Sequence, residues 1–471
     1  MTTLSFSENL PALFEELEKL KQSFNFNAAG FEATDFENKE NEKKFYKKNS
    51  YLFATTSASL FRLLPQIPYS KHKSIFEKLL FNLQLLDIEE KYAELFIENF
   101  EVIDTEESLS KAQKGQPFLF CCFHTGAYSL VPGLLASKSL DFGFLSNKTL
   151  TERKEKLYFE IHQRYCKKNK INSTPQFINV EDAKGIWKVI RMLKEGKSLI
   201  VYADGNTGSN YSKKESLNTV RVNFLGEDLR VRQGIAFLSY TCNIPIIPVL
   251  SSREDQHSEL KLKRKYTLLP AIYPPKFTDK NTANTVSKEE FASQTMQKLY
   301  TILEKEITQD DKNSEQISKW EGWIFVNKFF EDLQKPLSLL KENKYYINKN
   351  DSMNKLYIFN EERFALIESQ KNTLFDKFTY RFFPVSDLFY EIISYFSIPK
   401  KLYLLNRDNE LTNEQIDETT QNNSHSPIST DFGSDSTLIH SQLQLSKTLI
   451  PISALEKLIE KNILVQHNEY F

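Results

Sequence analysis

Pro117-Phe118-Leu119-Phe120-Cys121-Cys122-Phe123 is an unbroken apolar run, and it stops at His124-Thr125-Gly126-Ala127-Tyr128-Ser129, where the chain turns polar. Seven apolar residues bounded by turn residues suit a strand buried on both faces, the kind found inside a parallel sheet. His124 then stands at the strand's C-terminal end, and a helix is expected to start just after it. In open α/β sheets that end is where ligands and catalytic groups collect.

Two further apolar runs have the same character. Residues 198–202 end in Ala203-Asp204-Gly205-Asn206-Thr207-Gly208, and residues 243–250 contain Ile244-Pro245-Ile246-Ile247-Pro248-Val249, a run interrupted by its prolines. Helical patterns separate them at residues 150–168, 182–195 and 231–241. Strands alternating with helices at this spacing predict an α/β layer fold with a largely parallel sheet flanked by helices. Upstream, Leu13, Phe14, Leu17 and Leu20 share a helical face and residues 74–100 continue the pattern, so a helical lead-in covers residues 1–110. Downstream of Pro274-Pro275 the pattern predicts a long amphipathic helix over 288–308. The aromatic stretch 320–330 closes a domain spanning 111–335, with Lys335-Pro336 as its boundary.

Composition narrows the classes. The chain has 471 residues, 40% of them hydrophobic, with 37 Phe and 21 Tyr, ample for a large core and consistent with two domains. Sixty-one basic and sixty-two acidic side chains leave a net charge of −1, so no global field draws the chain to nucleic acid. Cys121, Cys122, Cys166 and Cys242 show neither disulfide nor zinc spacing, which points to a reducing compartment. His162 and His257 have no companion at metal-ligand spacing. No apolar window approaches the ~18 residues of a spanning helix, and residues 1–30 lack a basic start followed by a long apolar stretch, so neither a spanning helix nor a signal peptide is expected. The expectation is a cytoplasmic protein with at most peripheral contact with the inner membrane.

A histidine at a strand end can be a satisfied structural residue, or it can be a base, since its near-neutral pKa suits it to accept a proton from an alcohol or amine. Asp204 can likewise be an acid facing the cleft or a turn residue in Asp-Gly. Gly205 and Gly208 after it allow backbone to approach a ligand closely. Arg221, Arg230 and Arg232 flank Phe224-Leu225-Gly226, a grouping that reads equally as an anion site and as a solvated face.

In order and separation, the His124 block, the Asp204-Gly205 block and the Ile244-Pro245-Ile246-Ile247-Pro248-Val249 block resemble those of the glycerolipid acyltransferase superfamily. Phe224-Leu225-Gly226, Glu304-Lys305-Glu306-Ile307 and the Trp320-to-Phe325 segment are most similar to the late acyltransferases of bacterial lipid A biosynthesis. The likeness spans approximately residues 80–335. It implies transfer of a fatty acyl group from a thioester, held on acyl carrier protein, to a hydroxyl or amine, with His124 as general base and no metal or cofactor. It further implies substrate-binding roles for Gly126, Gly205, Asn206, Arg221 and Arg232.

One position departs from the family pattern. Five residues after the histidine the family carries Asp or Glu, and this chain has Ser129, which can hydrogen-bond but cannot neutralise an imidazolium. Asp204 is the natural substitute, leaving Ser129 a positioning role. The missing N-terminal anchor directs attention from a membrane glycolipid acceptor toward a soluble natural-product intermediate. A non-catalytic acyl- or carrier-binding protein and a thioester hydrolase are the competing classes.

Residues 340–471 read as a small α+β domain used for partner recognition, with strands at 356–360 and 402–405 and a helical pattern over 381–397. A polar, flexible insertion covers 406–435. The terminal helix over 451–465, followed by Ile463-Leu464-Val465, resembles the end of a winged-helix unit.

Overall fold

The computed structural model describes residues 6–24, 44–146, 148–179, 184–205, 218–253, 263–275, 286–309, 314–330, 356–368, 371–397, 400–401 and 457–466. Packing divides the chain into two units, residues 1–42 with 55–332 and residues 43–54 with 333–471.

Helices α1 (Phe6–Ser23), α2 (Ser50–Leu63), α3 (Tyr69–Lys91) and α4 (Ala93–Ile97) precede the sheet. The chain continues through β1 (Phe100–Asp104), α5 (Ser108–Gln113), β2 (Leu119–Cys122), α6 (Val131–Ser137), β3 (Phe142–Ser146), α7 (Lys148–Asn169) and β4 (Pro175–Asn179). Then come α8 (Gly185–Lys194), β5 (Ser198–Tyr202), β6 (Thr219–Phe224), β7 (Glu227–Arg232), α9 (Gly234–Cys242), β8 (Ile246–Arg253), β9 (Arg264–Leu268), α10 (Lys288–Thr308) and α11 (Ser314–Ser318).

Seven strands form one sheet in the order β1-β9-β8-β2-β5-β3-β4. The block β8-β2-β5-β3-β4 is parallel throughout; β9 pairs antiparallel with β8, and β1 follows β9 in parallel. The largely parallel α/β sheet expected from the sequence is therefore present, with a reversed edge. β2 lies at its centre, every one of its four residues buried, as its apolar composition requires.

Register carries the functional consequence. Cys122 pairs with Tyr202 of β5 and with Val249 of β8, and the Ala203 N–H donates to the Cys122 carbonyl at 3.0 Å, extending the ladder by one step. His124 and Asp204 each lie two residues beyond those partners. Two adjacent parallel strands thus deliver them at the same level of the sheet's C-terminal edge.

Several elements differ from the sequence reading. The helix expected over 231–241 begins at Gly234, because Val231 and Arg232 finish β7. β6 and β7 form a hairpin whose two-residue turn, Leu225-Gly226, has positive φ at both positions (52° and 83°), as in a type I′ turn. The usual Asn-Gly signal is missing, so the hairpin was invisible in the sequence. The Leu225 N–H, exposed by that turn, donates to Glu304 Oε2 of α10 at 2.9 Å. α10 itself has the expected bounds, and the Ser287 hydroxyl caps it by accepting from the Glu290 N–H.

The helical lead-in shares its core with the sheet, through Leu13, Leu17, Phe96, Phe118, Phe120 and Leu135 among others. It is also tied by charge. Glu89 of α3 is fully buried and binds Arg253 at 2.8 Å and Arg264 at 2.6 Å, joining the helix to β8 and β9. Burial alone would raise the Glu89 pKa, but the two guanidiniums outweigh it and hold the carboxyl below its ordinary value. Breaking such a buried pair leaves an uncompensated charge, typically at ~3–5 kcal/mol.

The second unit is α+β with its own core, built from residues such as Tyr357, Phe359, Ile393, Phe396, Ile459 and Leu464. Two three-stranded antiparallel sheets are formed by β10 (Leu356–Phe359), β11 (Phe364–Ile367), β12 (Thr373–Asp376), β13 (Arg381–Pro384), β14 (Lys400–Lys401) and β15 (Leu464–Gln466). The helical reading of 381–397 holds only for α12 (Asp387–Tyr395), which Ser386 caps. Its first four residues instead form β13 on β12, where every side chain is exposed. Residues 402–405 and the insertion 406–435 lie outside the described residues, as do 451–456 of the terminal helix.

Candidate active site

Beyond β2 and β5, a single buried carboxylate organises the surroundings of His124. Asp204 is fully buried, and its Oδ1 lies 2.9 Å from His124 Nδ1. The His124 backbone N–H donates to the same carboxylate at 3.2 and 3.0 Å, and the Trp320 indole N–H donates to Oδ2 at 2.8 Å. An ionised carboxylate only accepts, so Nδ1 carries a proton and Nε2 is the basic nitrogen. The His124 side chain keeps 20% of its surface exposed.

The electrostatics follow from these contacts. Burial favours neutral imidazole, but the charge and hydrogen bond of Asp204, reinforced by the charge of Glu321, prevail and raise the His124 pKa above its ordinary value. Burial would push Asp204 up. The His124 charge and hydrogen bond, the Trp320 donor and the His124 amide together pull it below the normal carboxylate range. The pair stores charge as Asp⁻ beside an imidazole ready to become imidazolium.

The loop after His124 is fixed from three sides. Ser251 Oγ donates to the Thr125 carbonyl at 2.5 Å and Tyr266 Oη to the Ala127 carbonyl at 3.0 Å. The Glu321 N–H donates to the His124 carbonyl at 2.9 Å, and Tyr128 Oη hydrogen-bonds the Glu321 carboxylate. At Gly126, φ is +57° and a Cβ would sit 2.2 Å from the Ser251 carbonyl oxygen, so no other residue fits. A Cβ on Gly205 would lie 3.3 Å from His124 Cε1, crowding the ring. Tyr128, Tyr202 and Phe325 surround the imidazole with centroids 4.8, 4.8 and 5.9 Å away.

Residues 82–313 match the family of bacterial lipid A biosynthesis acyltransferases. The family that this segment resembles is one of acyltransferases. The match includes His124, Asp204 and all five strands of the parallel block, and ends before Trp320. Among solved structures, the 1-acyl-sn-glycerophosphate acyltransferase PlsC from Thermotoga maritima is similar at 13% identity, over 62% of this chain and 97% of that one, with a TM-score of 0.27. No curated protein matches the chain.

Of two cavities in the first unit, one is lined by His124. That smaller cavity is lined by His124, Gly126, Tyr128, Arg253, Lys319 and Glu321 together with Asn82 and the apolar Leu79, Leu83 and Leu86. The other has a largely apolar wall drawn from α4, α6, α7, β3 and β4, and also includes Glu90, Ser129 and His162.

The structure thus gathers His124, Asp204, Gly126 and Gly205. Ser129 does not join the pair: it is buried, and its Oγ has no hydrogen-bond partner among the described residues. Arg221 and Arg232 occupy exposed positions on the β6–β7 hairpin and line neither cavity. Asn206 lies outside the described residues. The sequence reading missed Trp320, Tyr128 and Glu321 as parts of the site. Trp320 was visible only as a closing aromatic, because its bond to Asp204 spans 116 positions.

Proposed function

We propose that the chain transfers a fatty acyl group from a thioester on acyl carrier protein to an acceptor hydroxyl or amine, with His124 as general base. The observation that supports this most is the buried Asp204 on His124 Nδ1, which leaves Nε2 as the basic atom of a ring that lines the smaller cavity. In the proposed step Nε2 takes the acceptor proton as the acceptor atom attacks the thioester carbonyl. The tetrahedral intermediate then expels the thiolate, which recovers that proton from the imidazolium. Asp204 stabilises the imidazolium between these events, as the acid does in other base-assisted acyl transfers. Lys319 lines the same cavity and brings positive charge to the side where the oxyanion develops.

No described helix is long and apolar enough to cross a membrane. We assign the acceptor to a soluble or peripherally presented natural-product or glycolipid intermediate, and partner recognition to the α+β unit. The test is incubation of the full chain with acyl carrier protein thioesters and hydroxyl- or amine-bearing acceptors, followed by intact-mass detection. Acceptor mass increased by one acyl group is expected. Release of free acid alone would instead identify a thioester hydrolase, and thioester bound without consumption a binding protein.

The pKa directions fix the pH dependence. A base must be neutral to act, and the His124 pKa is raised, so the acidic limb of the kcat/KM profile should lie above the ~6.5 of an unperturbed histidine. A limb at or below that value would contradict the pairing with Asp204. Stability follows the same pair: the Asp204 contribution is lost as pH falls through its depressed folded pKa, and that of His124 as pH rises through its raised one.

A further inference from the structure

Residues 319–321 run antiparallel beside the loop that carries His124. Thr125 and Trp320 form a bridge, the Glu321 N–H donates to the His124 carbonyl at 2.9 Å, and the Gly126 N–H donates to the Lys319 carbonyl at 3.4 Å. That register sets Glu321 directly opposite His124. Residues paired in this way project to the same face with Cβ atoms about 4.5–5.5 Å apart, so backbone geometry alone brings a second carboxylate toward the imidazole. Both side chains line the smaller cavity.

Tyr128 joins the two. Its Oη hydrogen-bonds the Glu321 carboxylate, and its ring meets the His124 ring edge-on, with centroids 4.8 Å apart and planes at 69°. Burial, the Glu321 charge and this hydrogen bond push the Tyr128 phenol well above its ordinary pKa, so it stays protonated and is the donor. Burial favours neutral imidazole, but the charge and hydrogen bond of Asp204 and the charge of Glu321 outweigh it. Other ionisable groups near the ring have their own contacts. Tyr202 of β5 donates to the Tyr128 carbonyl at 3.0 Å, Arg253 of β8 is held by Glu89, and Lys319 feels the charge of Glu306 in α10.

We propose that Glu321 is a positioning residue for acyl transfer: through Tyr128 it fixes the His124 ring, and its charge stabilises the imidazolium formed when Nε2 takes the acceptor proton. This inference rests on the acyltransferase reading and extends it to a second acid of the site. Asp204 serves Nδ1, and Ser129 carries no charge. Glu321 supplies its carboxylate from beyond the segment, residues 82–313, that matches the family.

The experiment follows the His124 ring by NMR in the full chain with isotope-labelled histidine, its signal assigned by its loss in His124→Ala. In parallel, kcat and KM are measured for acyl transfer from an acyl carrier protein thioester. Glu321→Gln keeps the main-chain bond to His124 and an oxygen that accepts from Tyr128, and it removes the charge. The His124 titration midpoint should fall by about one unit, which corresponds to about tenfold in imidazolium stability. On the plateau above the acidic limb, kcat should fall on the order of tenfold with KM little changed. Glu321→Asp, which keeps the charge, should recover most of the midpoint. A role confined to holding the segment in place shifts the thermal midpoint of Glu321→Gln and leaves the titration where it was. An unchanged titration, or an unchanged plateau kcat in a chain that transfers acyl groups, would overturn the inference and leave the transfer reading intact. A lowered midpoint in a chain that transfers nothing ends the transfer reading and leaves the coupling of Glu321 to His124 standing.

Discussion

His124→Ala is expected to lower acyl transfer by about 10²–10⁴-fold, the usual contribution of a positioned general base. The loss should appear in kcat, because the ring is oriented to accept a proton during attack rather than to bind either substrate. The fold should survive. The His124 backbone N–H still reaches Asp204, and the His124 carbonyl still accepts from the Glu321 N–H. A variant that is folded by thermal melt and within a few-fold of wild type would remove His124 from the mechanism.

Asp204→Asn should be nearly as severe, up to about 10⁴-fold, the scale known for the equivalent change in serine protease triads. The amide cannot neutralise an imidazolium, and its NH₂ group would face donors on His124 or Trp320 that now meet a carboxylate. The His124 pKa should fall, carrying the acidic limb of the rate profile to lower pH. Some loss of stability, about 1–3 kcal/mol, is expected from the mismatched buried donor. Thermal melts separate that from the catalytic effect. Full activity with an unchanged pH limb would show that another group partners His124.

The sequence disclosed the centre of this fold because β2 and β5 are continuous apolar runs that end on His124 and Asp204. Buried parallel strands leave that signature, and register then forces the two residues together. It concealed β3 and β4, whose Gly143, Ser146, Gln176 and Asn179 interrupt the apolar pattern. The β6–β7 hairpin was hidden by an uncommon Leu-Gly turn. At the site, the approach of Asp204 to His124 was legible from neighbouring strand ends. Trp320 was not, since it reaches Asp204 from the closing segment of the domain, and no local pattern encodes that approach. Arg221 and Arg232 lie at exposed positions of the β6–β7 hairpin, a placement that charge clustering in the sequence did not reveal.

The claim that His124 and Asp204 act as one unit is tested most directly by a double-mutant cycle in the acyl transfer assay. Groups that act together are strongly non-additive, so the His124→Ala/Asp204→Asn variant should be no slower, within a few-fold, than His124→Ala alone. Losses that multiply across the two substitutions would contradict a shared role and leave Asp204 a structural residue beside an independent histidine.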